Sequence, residues 1–107
     1  MKYFISQKMR GRSDEEILSE RKKVVEAILK MNPDAEFIDS VLSVSGKPPL
    51  WYLGRSLQLL SEADMCVFVD NATENRGCRM ERDACQLYGI DACLFRTDNG
   101  EFEAEGA

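Results

Sequence analysis

The chain has no histidine, and that absence removes every catalytic scheme built on a Ser-His or Cys-His pair. Acid–base work must fall to carboxylates, tyrosine or lysine. The four cysteines, Cys66, Cys78, Cys85 and Cys93, form no CxxC pair. Without histidine they make no zinc-ligand pattern, so neither a metal nor any other cofactor is expected. Cys66 and Cys93 fall in apolar stretches, where cysteine behaves as a small hydrophobe. No apolar run approaches the roughly 18 residues that a membrane span needs, and the opening KYFIS is too short for a signal-peptide core. The expectation is a cytoplasmic protein with no membrane partner. Positive charge is also in deficit: 14 Lys and Arg against 19 Asp and Glu leave a net charge of −5. That repels a nucleic-acid polymer or an anionic membrane, but leaves room for a small local anion site.

What is present describes one folded domain. Apolar residues make up 44% and charged residues 31% of the 107 positions, a balance that disfavours disorder. A chain of this length buries roughly two-thirds of the surface it exposes when unfolded. We expect a single domain over 1–107, with a core at 2–96 and an acidic C-terminal tail at 97–107.

Periodicity sets the order of elements. Lys2–Ile5 is a short apolar strand. Ser13-Asp14-Glu15-Glu16 is a capping box, and it opens a helix whose Ile17, Leu18, Val24, Val25, Ile28 and Leu29 form one stripe to about Met31. Asn32-Pro33-Asp34 stops that helix. Ala35–Ile38 is a second strand, and Val41–Lys47 is ambiguous. Pro49 suits the first turn of a helix running from about Leu50 to Glu62, which presents Leu50, Leu53, Leu57 and Leu60 on one face. Met65–Val69 is an unbroken apolar run, as in a strand buried on both sides. A polar loop follows, then a helix from Arg76–Gly77 to Gly89, a C′ glycine. Ala92–Phe95 is the last core strand; Asp98-Asn99-Gly100 is a turn that folds Glu101–Glu103 back as an edge strand. The alternation implies an α/β fold: a flavodoxin- or Rossmann-like three-layer sandwich on a mainly parallel four- to five-stranded sheet, core order 2-1-3-4.

Such sheets hold ligands beyond the carboxyl ends of their strands, at the point where the strand order reverses. Here that brings the loops Ser6–Arg12 and Asp70–Gly77 together. The first leads into a helix N-terminus favourable to an anion, and Arg10 and Arg12 add fork-shaped donors. The plainer alternative is that both arginines are solvated or paired with Asp14–Glu16. Glu81, near the start of a helix and facing the expected crevice, suits a nucleophile or general base; an exposed dipole-stabilising glutamate is the plainer alternative. Gly77 would admit a ligand close to the backbone. Asp70 and Asn71 end their strand beside the crevice, and turn capping explains Asp70 equally well. Arg76 and Arg79 are ligand-binding or surface charges. Tyr3, Trp51 and Tyr52 are placed to stack on a base, to fill the core or to form a subunit interface.

Taken in order, YFISQKMRG, LGRSLQLLSEADMCVFVD and GCRME resemble the nucleoside 2-deoxyribosyltransferase-like superfamily, which includes a small deoxynucleoside 5′-monophosphate N-glycosidase. The resemblance runs over Lys2–Phe95 and is closest to a small bacterial and phage branch. It implies that Glu81, in G-x-x-x-E, is the nucleophile at the anomeric carbon. Tyr3 matches a tyrosine at the floor of the active site, and both residues are assigned to the catalytic set. Ser6, Gln7, Arg10, Gly11 and Arg12 correspond to the sugar- or phosphate-binding loop, with Ser56, Asp70, Asn71 and Gly77 completing the substrate contacts. The active enzymes carry a second carboxylate where this chain has Ser56. A serine cannot act as a carboxyl acid, so Asp39 or a neighbouring subunit would have to substitute. The implied partner is a nucleoside or nucleotide, bound by a homo-oligomer with Trp51 and Tyr52 at its interface. The implied activity is cleavage or transfer at an N-glycosidic bond. The alternatives are a module that binds or sequesters a nucleotide without turnover, and a purely protein-binding domain.

Overall fold

A computed structural model of the chain describes residues 1–40 and 44–104. Part of the ambiguous Val41–Lys47 stretch and the last three residues of the acidic tail lie outside the described residues. Within them the order is β1 (Lys2–Ser6), α1 (Asp14–Met31), β2 (Glu36–Phe37), α2 (Pro49–Leu60), β3 (Met65–Val69), α3 (Arg76–Tyr88), β4 (Asp91–Arg96) and β5 (Glu101–Ala104), with a short 3-10 turn at Ala72–Glu74. The strands form one sheet in the order β2-β1-β3-β4-β5. The first four are parallel, and β5 returns antiparallel to β4. The core order and the folded-back edge strand agree with the sequence reading.

Strand parity decides which face each side chain reaches. Tyr3 and Ile5 of β1, with Val67 and Val69 of β3, pack on Val24 and Ile28 of α1. Phe4, Cys66 and Phe68 point the other way, onto Leu60 of α2 and Cys85 of α3. Helices therefore cover both faces of the sheet. None of the cysteines Cys66, Cys78, Cys85 and Cys93 is in a disulfide.

The helix ends follow local chemistry. The Ser13 side chain accepts from the Glu16 N–H at 3.1 Å, and α1 starts one residue later. Asn75 caps α3 by accepting from the Gly77 N–H at 3.0 Å. Gly89 closes α3 at φ +73°, a left-handed conformation open to glycine. Two stripes are narrower than expected. In α1, Leu18 and Leu29 are exposed, and the buried seam is Ile17, Val24 and Ile28. In α2 only Leu60 is buried and Leu50 is 72% exposed, because the first turns of this helix stand away from the sheet and wall a cleft. No helix among the described residues is long and apolar enough to cross a membrane.

Candidate functional site

The cleft opens at the carboxyl end of β1, on the sheet face shared by α2 and α3, and has a volume of about 880 Å³. Ser6 is two residues beyond Phe4, so it points to the same face, toward α3. On α3, Cys78, Glu81 and Cys85 recur at the spacing of a buried seam and are all buried. The two patterns converge at one contact: Ser6 Oγ donates to Glu81 Oε1 at 2.7 Å.

Glu81 is 7% exposed. Burial raises its carboxyl pKa to about 7, against a lowering by the Ser6 hydroxyl and the Cys78 thiol. It therefore exchanges its proton near neutrality while still reaching the cleft. The Cys78 thiol donates to the Gln7 carbonyl at 3.4 Å. Burial, helped by the neighbouring Glu81 charge, pushes it up to about 11, so it stays a thiol.

The remaining walls sort by chemistry. Arg10, Lys47 and Arg76 bring three cationic side chains to the lining, although the chain as a whole is acidic. Pro49, Leu50, Tyr52, Leu53 and Met80 give an apolar side. The Tyr52 hydroxyl donates to the Val44 carbonyl at 2.8 Å and accepts from the Lys47 N–H at 3.3 Å, fastening the segment before α2 along the cleft edge. Among the described residues, Glu81 is the sole carboxylate in the lining, and no cluster of Asp, Glu or Cys is suited to a metal.

Of the residues singled out from the sequence, the fold brings Ser6, Gln7, Arg10, Ser56, Gly77 and Glu81 together around this cleft. Gln7 has a second role: its Nε2 donates to the Ile17 carbonyl at 3.0 Å and to Glu20 Oε1 at 3.1 Å, tying the end of β1 to α1. The others lie elsewhere. Tyr3 is three residues from Ser6, so strand parity sends it to the α1 face, where it stacks on Phe37. It is core and not the floor of the cleft. Arg12 turns back onto α1 and grips Glu20 with two hydrogen bonds of 3.0 Å, its Nε 3.9 Å from Glu16. Gly11 is exposed at φ +77° and serves the turn. Asp70, at φ +52°, accepts from the Thr97 N–H at 2.9 Å and from the Thr97 hydroxyl at 2.6 Å, locking the β3 and β4 exits together. Asn71 is exposed beside Glu74. Asp39 lies outside the lining, and its charge acts on Arg21.

Ser40, Lys47 and Asn75 also line the cleft without having been singled out. Asn75 reaches it as the cap of α3. Ser40 and Lys47 carried no local signal, because only the path from β2 to α2 brings them to β1. Comparisons with family models, curated proteins and solved structures found no match.

Proposed function

We propose that the cleft binds a nucleotide-like small molecule and that Glu81 attacks its anomeric carbon, cleaving or transferring the N-glycosidic bond. The observation that carries this reading is the Ser6–Glu81 contact: a buried carboxylate, oriented by a 2.7 Å hydrogen bond, opening onto a cleft with three cations. Arg10, Lys47 and Arg76 suit a phosphate, and the Tyr52 side suits a base. The strand order fits the flavodoxin- or Rossmann-like layering expected from the sequence, whose ligand site lies at the same strand ends. A volume of about 880 Å³ is in the range of small-molecule sites and exceeds the need of a single nucleoside.

The second reading, a binding module without turnover, is favoured by Ser56, which lines the cleft where the resembled enzymes hold their second carboxylate. Purified protein incubated with nucleosides, nucleoside monophosphates and dinucleotides, with free base followed by chromatography, separates the two. Base release that Glu81→Gln abolishes supports the enzyme. A thermal shift with no base release supports the binding module. The homo-oligomer proposed with the first reading places Tyr52 and the exposed Trp51 at the contact, and a monomer by light scattering removes it.

A further inference from the structure

If Glu81 attacks the anomeric carbon, the departing base must take up the electron pair of the broken C–N bond. A neutral purine or pyrimidine does this well only when an acid protonates it as it leaves, and a positioned acid contributes about 10²–10⁴-fold. Among the described residues, the groups lining the cleft do not supply a second carboxyl. They are the hydroxyls of Ser6, Ser40, Ser56 and Tyr52, the amides of Gln7 and Asn75, three cations and the Cys78 thiol. The Tyr52 hydroxyl is already spent on the Val44 carbonyl and the Cys78 thiol on the Gln7 carbonyl, and the Lys47 ammonium sits over the Trp51 ring, 5.6 Å from its centroid.

From this lining we infer that the substrate is a phosphorylated N-glycoside whose base carries a fixed positive charge, an N-alkylated purine or a pyridinium nucleotide. The inference rests on the glycosyl reading above and specifies its substrate. Such a base needs no proton. A Glu81 carboxylate oxygen forms the bond to the anomeric carbon, and the C–N bond breaks with its electron pair passing to the ring nitrogen. The base leaves neutral. Water then attacks the glycosyl ester, its hydroxide adding to the anomeric carbon and its proton passing to solvent, and the carboxylate is regenerated.

The walls suit both ends of this ligand. Glu81 and Tyr52 both line the cleft, and a carboxylate and an aromatic ring each favour a cation electrostatically. The phosphate lies toward Arg10, Lys47 and Arg76. A neutral base leaves as an anion unless it is protonated, and a site built to protonate one would need a second acid.

The test compares 7-methylguanosine 5′-monophosphate and nicotinamide mononucleotide with guanosine and deoxyguanosine 5′-monophosphates, all with the wild-type protein. Base release is read by chromatography and corrected for the rate without protein. We expect kcat/KM for at least one cationic substrate to exceed that of the neutral nucleotides by about a hundredfold or more, the low end of what a general acid supplies. Glu81→Gln, close in shape to the native residue, should abolish that release while keeping the wild-type circular dichroism. Release from the neutral nucleotides at comparable or greater rates, still dependent on Glu81, overturns the inference and leaves the glycosyl reading standing. No release from any of the four overturns both.

Discussion

Ser6 and Glu81, 75 positions apart in sequence, meet through a buried 2.7 Å hydrogen bond in the lining of the cleft. The hydroxyl is donor to a carboxylate that burial alone would drive further toward the neutral form. It thus holds part of the charge that any nucleophilic role requires, and its loss has a predictable sign. In Ser6→Ala the Glu81 pKa should rise above its present value of about 7. The carboxylate would lose a buried partner, at a cost of roughly 1–3 kcal/mol, larger at pH 8 than at pH 5. Urea denaturation at the two pH values, with a titration of the labelled Glu81 carboxyl by NMR, reads both effects. An unchanged titration would mean that the hydroxyl does not govern the carboxylate.

Glu81 should make the protein less stable as pH rises. Its folded pKa of about 7 lies above the ordinary carboxyl value of 4.5, so between these limits the folded state binds more protons than the unfolded one. The stability associated with Glu81 is fully present below about pH 4.5 and is lost as pH climbs through about 7. The shift converts to about 3 kcal/mol in all. Glu81→Gln removes this contribution. The mutant should therefore gain on the wild type between pH 5 and pH 8, and a pH-independent difference in unfolding free energy would contradict the assignment.

The two arginines of the β1–α1 loop should separate cleanly. Arg12 is held by Glu20 and faces α1, so Arg12→Ala should cost about 1 kcal/mol of stability and leave nucleotide affinity unchanged. Arg10 lines the cleft, so Arg10→Ala should leave melting unchanged and weaken a nucleoside monophosphate roughly tenfold, as for loss of one charge-assisted hydrogen bond. Thermal unfolding and calorimetric titration of both variants decide this. Weaker binding in Arg12→Ala would reverse the placement.

Asp70 is a structural residue on this fold. Its two bonds to Thr97 join the ends of neighbouring strands while its backbone is held at positive φ. Asp70→Ala should destabilise the protein by about 1–3 kcal/mol through the lost bonds and the left-handed strain, with ligand affinity intact. Asp70→Asn, which tolerates that conformation, should recover much of the loss. A binding defect in Asp70→Asn with normal stability would restore the ligand role expected from the strand-end position.

Tyr3 offers a plain control on the face assignment. Its ring packs in the α1-side core with its hydroxyl 3.5 Å from Asn32 Nδ2. Tyr3→Phe should therefore leave binding and any turnover at wild-type levels, while Ser6→Ala does not. A Tyr3→Phe variant that folds normally and loses turnover would contradict the parity argument.

Local patterns were enough for most of the architecture. The unbroken run Met65–Val69 marked a strand covered on both faces, Ser13 and Gly89 marked helix ends, and the alternation of strands and helices led to the order 2-1-3-4. The meeting of the Ser6–Arg12 and Asp70–Gly77 loops was legible as well, since strand order brings one beside the other, whereas the Ser6–Glu81 bond itself was not. Side-chain direction beyond that depended on the assembled sheet. Tyr3 and Ser6 share a five-residue strand, yet a pleat sends them to opposite faces, and only the position of α1 and α3 makes one core and the other site. Arg12 had two plausible fates, solvent-facing ligand donor or ion pair. Glu20, two turns into α1, resolves it by offering a partly buried carboxylate at fixed distance. Lys47 and Ser40 had no local mark at all, because their place in the cleft comes from chain closure between β2 and α2. Backbone periodicity acts over a few neighbouring residues and is written in their order, whereas the company a charged side chain keeps is set by groups that folding brings from elsewhere.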